Sequence, residues 1–286
     1  MRRRLLATLA IALLAAGCGT STPKAEEPKT QSPQKIVSLS PTATEMLFAI
    51  GAGKQVVAAD EYSNYPPQAP KTDLSGYTPN AEAIAAKNPD LVVLSADTKG
   101  IKAQLETLKI PVYITGDAKS VDDAYAQISE LGKRTGHEGE AAALNKQIQD
   151  DLTKLTRDLP KRTKPLTYFY ELDPALYTAT SKTFIGSLFT MAGLVNVADA
   201  ADASGSGYPQ LTAEALIKAN PDMIFLADTV MGETPEKVKA RAGWNAVTAV
   251  SGGHIVALDT DIASRWGPRI VDLMRAITDA VAKVTA

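Results

Sequence analysis

The aromatic side chains Tyr62, Tyr65, Tyr77, Tyr177, Tyr208 and Trp266 fall in polar stretches between the apolar runs of the chain, and Arg265 stands beside the last of them. Rings carried on loops can grip a large, flat or partly apolar ligand by its faces, while phenol and guanidinium groups add hydrogen bonds. The machinery of catalysis is missing around them. There is no G-x-x-x-x-G-K-[ST] loop and no Gly-x-Ser-x-Gly elbow, and Gly51-Ala52-Gly53 lacks the third glycine of a dinucleotide fingerprint. The two histidines, His137 and His254, are too few and too far apart to argue for a histidine-built zinc or manganese site. No catalytic residue and no metal ligand set is assigned; the residue types support binding, and the chain is read as a non-enzyme. With 32 acidic against 30 basic residues, it carries no generic nucleic-acid footprint.

These loops need a frame, and the frame repeats. Residues 80–94, Asn-Ala-Glu-Ala-Ile-Ala-Ala-Lys-Asn-Pro-Asp-Leu-Val-Val-Leu, align without a gap with 212–226, Thr-Ala-Glu-Ala-Leu-Ile-Lys-Ala-Asn-Pro-Asp-Met-Ile-Phe-Leu. Each unit reads as a polar cap, a first-turn glutamate (Glu82, Glu214), a short helix, an Asn-Pro-Asp stop and an apolar strand. The proline ends the helix because it has no N–H and drives the preceding asparagine out of the helical region. One helix–turn–strand unit in each half predicts two similar lobes. Strands at 35–39, 56–59, 91–94 and 112–114 alternate with helices, the pattern of a parallel α/β lobe. A second set opens at 166–170. Thr42 and Glu45 have capping-box spacing at the start of a helix stopped by Gly51. Between the halves, Leu144, Ile148, Leu152, Leu155 and Leu159 form one helical stripe ending at Pro160, a strut about 30 Å long. Glu82 and Glu214 also suit a first helical turn for the helix dipole alone, worth about 0.3–1 kcal/mol.

The N-terminus is an address. Met-Arg-Arg-Arg and the apolar run to Ala16 form an export signal too short to span a bilayer comfortably. Leu14-Ala15-Ala16-Gly17-Cys18 resembles a bacterial lipobox, which makes Cys18, the sole cysteine, a lipidation site. Residues 19–34, rich in Ser, Thr, Pro, Lys, Gln and Glu, read as a tether. The protein is therefore expected outside the cytoplasm, anchored in the membrane through lipid.

From Lys35 onward the chain resembles the substrate-binding proteins of bacterial ABC importers for cobalamin, ferric siderophores and haem. The resemblance is carried by Val37-Ser38-Leu39-Ser40-Pro41 with Thr44-Glu45, Tyr62-Ser63-Asn64-Tyr65-Pro66-Pro67, the two Glu-bearing units, Tyr208-Pro209-Gln210 and Pro268-Arg269-Ile270. It implies an α/β fold of two Rossmann-like lobes, each with a mainly parallel sheet, joined by a single long α-helix: the class III periplasmic-binding fold, with a shallow cleft and limited hinge motion. The expected divisions are a signal peptide 1–17, lipidated cysteine and tether 18–34, N-terminal lobe 35–138, interlobe helix 139–164 and C-terminal lobe 165–286.

The resemblance is greatest to the cobalamin binders, whose pocket positions fall on Thr42, Tyr62, the neighbourhood of Tyr77, Tyr177, Tyr208 and Arg265. Ser95 and Tyr208 stand where cobalamin binders carry tryptophans, and Ser264 where an acidic residue precedes the arginine. A corrin would be sandwiched by fewer large rings, so a corrinoid and a ferric siderophore both remain, with haem third because neither histidine is placed as an axial ligand. A surface sensor or adhesion lipoprotein built on the same fold is the alternative from another class. The implied partners are an ABC permease with its ATPase subunits, docked through Glu82 and Glu214, and the protein is expected as a monomer. No cofactor is expected; the ligand itself carries the cobalt or iron.

Overall fold

A computed structural model describes residues 32–284; the signal peptide, Cys18 and most of the tether lie outside the described residues. The first lobe runs β1 (Ile36–Leu39), α1 (Pro41–Ala49), β2 (Val56–Ala59), α2 (Ala81–Ala85), β3 (Leu91–Leu94), α3 (Ile101–Thr107) and β4 (Val112–Ile114). Two helices follow, α4 (Val121–Thr135) and α5 (Glu138–Arg157). The second lobe comprises β5 (Thr167–Glu171), α6 (Phe184–Met191), β6 (Val195–Asn196), α7 (Ala213–Ala219), β7 (Met223–Leu226), α8 (Pro235–Lys239), α9 (Thr248–Ser251), β8 (Ile255–Ala257), α10 (Thr260–Ser264) and α11 (Ile270–Lys283). Each lobe holds one sheet of four parallel strands, ordered β2-β1-β3-β4 and β6-β5-β7-β8. Parallel strands covered on both faces need near-continuous apolar sequence, and β3 and β7 are buried at every position.

The duplicated unit holds each sheet at its centre. Asn80 and Thr212 cap α2 and α7, their side-chain oxygens accepting from the N–H groups of Ala83 at 2.9 Å and Ala215 at 3.1 Å. Ile84 and Leu216 are fully buried and pin the helices to their sheets. Asn88 and Asn220 leave the right-handed helical region as expected, but they enter the left-handed one, with φ of 49° and 47°. Asparagine tolerates that conformation better than most residues. The aspartates then clamp the first strand of each sheet. Asp90 accepts from the N–H groups of Gln34 and Lys35, both at 2.9 Å. Asp222 Oδ2 accepts from the N–H and the hydroxyl of Thr167, both at 2.8 Å. Replacing Asp222 with alanine strands two half-buried donors, and a loss of about 1–3 kcal/mol is expected in urea unfolding. Asp90→Ala should lose less, since its donors are exposed.

The strut is α5, 20 residues long. It begins after Gly136 turns the chain at φ 78° and stops at Arg157, short of Pro160. Asn145 on α5 donates to the Tyr125 carbonyl and the Ser129 hydroxyl of α4, each at 2.9 Å. Ile148 and Leu152 enter a core shared by both lobes: Ile36 and Met46 from the first, Phe189 and Phe225 from the second, Leu273 and Ile277 from α11. The outer face of each sheet has its own core, around Val37, Ile84 and Leu105 in one lobe and Phe169, Leu216 and Trp244 in the other. β6, two residues long, has no counterpart among the strands expected from sequence.

Candidate ligand-binding cleft

In parallel α/β sheets, binding loops gather at the carboxyl ends of the strands. Those ends of the two sheets meet here. The segment after β8 crosses from the second lobe to the first, where Arg265 Nη1 donates to Glu45 Oε1 and to Asn64 Oδ1, both at 2.9 Å. Arg265 Nη2 donates to the Tyr62 carbonyl at 3.1 Å and to Asp261 at 2.7 Å. Arg269 Nε donates to Glu45 Oε2 at 3.0 Å, and Arg269 Nη2 donates to Oε1. The carboxylate raises the Arg269 guanidinium above its ordinary pKa. Asn64 also donates to Asp261 at 2.6 Å. Glu45 itself is 2% exposed. It therefore does not close a capping box with Thr42. Ser40 caps α1 by accepting from the Ala43 N–H, Pro41 fills the first turn, and the Glu45 side chain is left for the two arginines. Gly267 permits the close crossing, because a Cβ there would lie 3.2 Å from Glu45 Oε2.

Beside this network lies a cavity of about 410 Å³ between the lobes. Tyr170, Phe184, Tyr208, Asp228, Met231 and Trp266 line it from the second lobe, with Asp117 and Ala118 opposite. Trp266 joins its walls: the indole N–H donates to Gln127 Oε1 of α4 at 2.8 Å, and the ring meets Phe184 edge-on at 6.4 Å. The Tyr170 hydroxyl donates to the Ala263 carbonyl at 2.9 Å, and burial keeps that phenol neutral by pushing its pKa upward. Gly186 lets the loop before α6 lie flat on that helix, since a Cβ there would sit 2.0 Å from the Thr180 carbonyl.

The sequence-selected residues divide into groups. Tyr208 and Trp266 line the cavity. Tyr62 and Tyr77 stack edge-on at 5.6 Å, both exposed, in the loops following β2. Tyr177 is exposed in the loop following β5 and pairs by its backbone with Gln210, next to the Tyr208 segment. Tyr65 lies over the Arg269 guanidinium at 4.3 Å, facing a second hollow among α1, α5 and α11. Thr42 is buried in α1. Arg265, chosen as a polar handle for ligand, is buried and hydrogen-bonded on both Nη atoms to the protein itself. It holds the lobes together, while its neighbours Ser264 and Trp266 face the cavity. Glu82 and Glu214 are exposed in the first turns of α2 and α7.

Sequence reading missed the buried charges. Glu171, at the carboxyl end of β5, is fully buried and receives Arg241 in a bidentate pair at 2.7 and 2.5 Å. Arg241 also donates to Glu233 at 2.8 Å and covers the Trp244 ring at 4.6 Å. Asp228, just past β7, is 1% exposed, and neither carboxyl oxygen has a partner among the described residues. Burial and the nearby Glu171 charge push its pKa up to about 7. Asp60, past β2, is likewise buried and raised by desolvation. The signal available in sequence was position alone: an acidic residue directly after an apolar strand.

Two parallel α/β lobes, one connecting helix and a ring-lined cleft between the strand ends define a class III solute-binding protein. The chain belongs to the periplasmic binding protein family, whose model matches residues 36–262. It is 31% identical to an uncharacterized ABC transporter substrate-binding lipoprotein, YvrC, of Bacillus subtilis, over 88% of this chain and 81% of that one. A cobalamin-binding protein of Halobacterium salinarum is 28% identical, over 88% of this chain and 70% of its own. A solved structure of a possible iron-binding (periplasmic solute-binding) protein from Staphylococcus epidermidis superposes with a TM-score of 0.76 at 26% identity, covering 88% of this chain and all of the other. As a member of this family the chain is a substrate-binding protein and not an enzyme. Among the described residues, no helix is long and apolar enough to cross a membrane.

Proposed function

We propose that this chain is a lipid-anchored receptor that captures a corrinoid or a ferric siderophore in the interlobe cleft and hands it to an ABC permease. The observation that carries this reading is the cavity between the lobes, walled by Tyr170, Phe184, Tyr208 and Trp266. Its aromatic faces suit a large chelate with apolar edges. The exposed rings of Tyr62, Tyr77 and Tyr177 on the neighbouring loops supply further flat surface for a ligand larger than the cavity. The names of the cobalamin-binding and possible iron-binding relatives support the same two ligand classes. Cys18, followed by its polar tether, supplies the anchor, in keeping with the lipoprotein name of the Bacillus relative.

Trp266 is the natural reporter, because it lines the cavity, whereas Trp244 is buried in the second lobe beneath Arg241. Titration with cyanocobalamin, ferric hydroxamates, ferric catecholates and haem should quench Trp266 saturably for at least one of them, with the signal lost in Trp266→Phe. A panel in which none binds at micromolar concentration would remove the reading.

A further inference from the structure

Three carboxyl groups gather around one guanidinium in the second lobe, and it bonds only two of them. Arg241 is bonded to Glu171 and Glu233, and Asp228 is left over. A buried carboxyl that receives no donor is costly, and the cost is relieved by a proton, which Asp228 can share with the neighbouring Glu171 carboxylate, or by a donor brought from outside. Asp228 is among the residues lining the cavity, with both carboxyl oxygens shut off from solvent, so the donor must come from a ligand seated directly against that wall. Asp117 adds a second acidic group across the cleft, and the described residues lining the cavity include no Lys or Arg. Two arginines close to the cavity in the chain fold are tied to other carboxylates, Arg241 to Glu171 and Glu233 and Arg265 to Glu45 and Asp261, while Lys119 and Lys182, which adjoin lining segments in sequence, are exposed.

We propose that Asp228 sets the charge class of the ligand, so that the cleft accepts a neutral or cationic chelate presenting an amide N–H or ammonium donor to this carboxyl and rejects anionic chelates. The inference rests on the solute-capture reading above and narrows it. Amide-bearing corrinoids and cationic hydroxamate chelates pass this filter; tris-catecholates and carboxylate-rich chelates do not.

The filter should sharpen with pH. Asp228 faces Glu171 and Tyr170 of β5, Glu233 and Arg241 on either side of α8, Tyr208 from the loop before α7, and Asp117 across the cleft. Burial holds Tyr170 and Tyr208 above their ordinary pKa, so both stay neutral near pH 7. Asp228, raised to about 7, gains its charge across neutrality. Below that range it is a neutral donor; above it, an anion facing the ligand.

The test compares cyanocobalamin (neutral), ferrioxamine B (cationic) and a ferric tris-catecholate (anionic) by calorimetry on the intact protein and on Asp228→Asn, at pH 6 and pH 8. At pH 8 the tris-catecholate should bind at least about tenfold more weakly than the better of the other two, and the asparagine variant should narrow that gap. In the unaltered protein the gap should widen from pH 6 to pH 8, a measurement that stands even if the variant fails to fold. Tighter binding of the anionic chelate, a gap unchanged in a folded variant, or a gap flat with pH would overturn the charge assignment and leave solute capture standing. Failure of all three probes to bind would overturn the capture reading and this inference with it.

Discussion

Replacing Glu45 with alanine is expected to destabilise the protein by about 3 kcal/mol and to loosen the lobes from each other. The carboxylate is 1% exposed at its side chain and is shared by Arg265 and Arg269, whose side chains are 9% and 15% exposed. Removing it leaves two guanidinium groups in a desolvated place, Arg265 short of one acceptor and Arg269 short of both of its carboxylate acceptors, and the penalty comes from the stranded charge more than from the lost attraction. Asp261 remains to Arg265 but is 39% exposed, so its compensation is partial. The effect therefore falls at the lower end of the range for broken buried pairs. The measurement is urea unfolding of Glu45→Ala beside Asp261→Ala and the exposed-pair control Asp150→Ala, each of the latter expected to change stability by less than about 1 kcal/mol. Glu45→Ala with Arg265→Met and Arg269→Met should recover much of the loss, because no buried charge is then unpaired. Equal stabilities of Glu45→Ala and the intact protein would show that water reaches both guanidiniums and that the shared apolar core alone holds the lobes.

That network also marks where sequence reading stopped. The repeated unit was legible because its pattern is local: cap, apolar anchor, proline, aspartate and strand lie within a single run of residues, and each obeys short-range rules. The parallel sheets followed from the alternation of strands and helices, and the strut from its leucine spacing. Glu45 was assigned to a capping box by spacing, since Thr42 and Glu45 are three residues apart. Its actual partners are 220 and 224 residues away, and no local rule reports such a pairing. The bonds from Arg265 to Glu45 and Asn64 are equally out of reach of local rules, because a guanidinium on an aromatic loop reads alike whether it points at a ligand or at another lobe. Asp228 and Glu171 were passed over because a lone carboxylate after a strand is common, and their burial depends on packing that only the folded chain has. The two-residue β6 offered too little apolar sequence to be distinguished from a loop.

The double substitution Glu82→Ala with Glu214→Ala is expected to cut transport by about 100-fold or more while leaving ligand affinity unchanged. Both carboxylates are exposed, one per lobe, in the first turns of equivalent helices, and neither lies on the cavity wall. Locally they do little: Asn80 and Thr212 already cap these helices, so each loss should be within the dipole range of about 0.3–1 kcal/mol. Folding and the cleft should survive. Their equivalence matters only to a partner that touches both lobes at once, and the helix–stop–strand clamp fixes each to the centre of its sheet through Ile84 with Asp90 and Leu216 with Asp222. Removing one member of a charge pair across an interface costs about 2 kcal/mol or more, so the double variant should reduce delivery by about 100-fold or more. The measurement is uptake by the reconstituted permease alongside calorimetry of ligand binding. Single variants should retain partial uptake, and Glu82→Arg with Glu214→Arg should fall below the alanine pair because repulsion replaces a lost attraction. Normal uptake by the alanine pair would return both residues to the helix dipole, and a fall in ligand affinity would place them in the binding site instead.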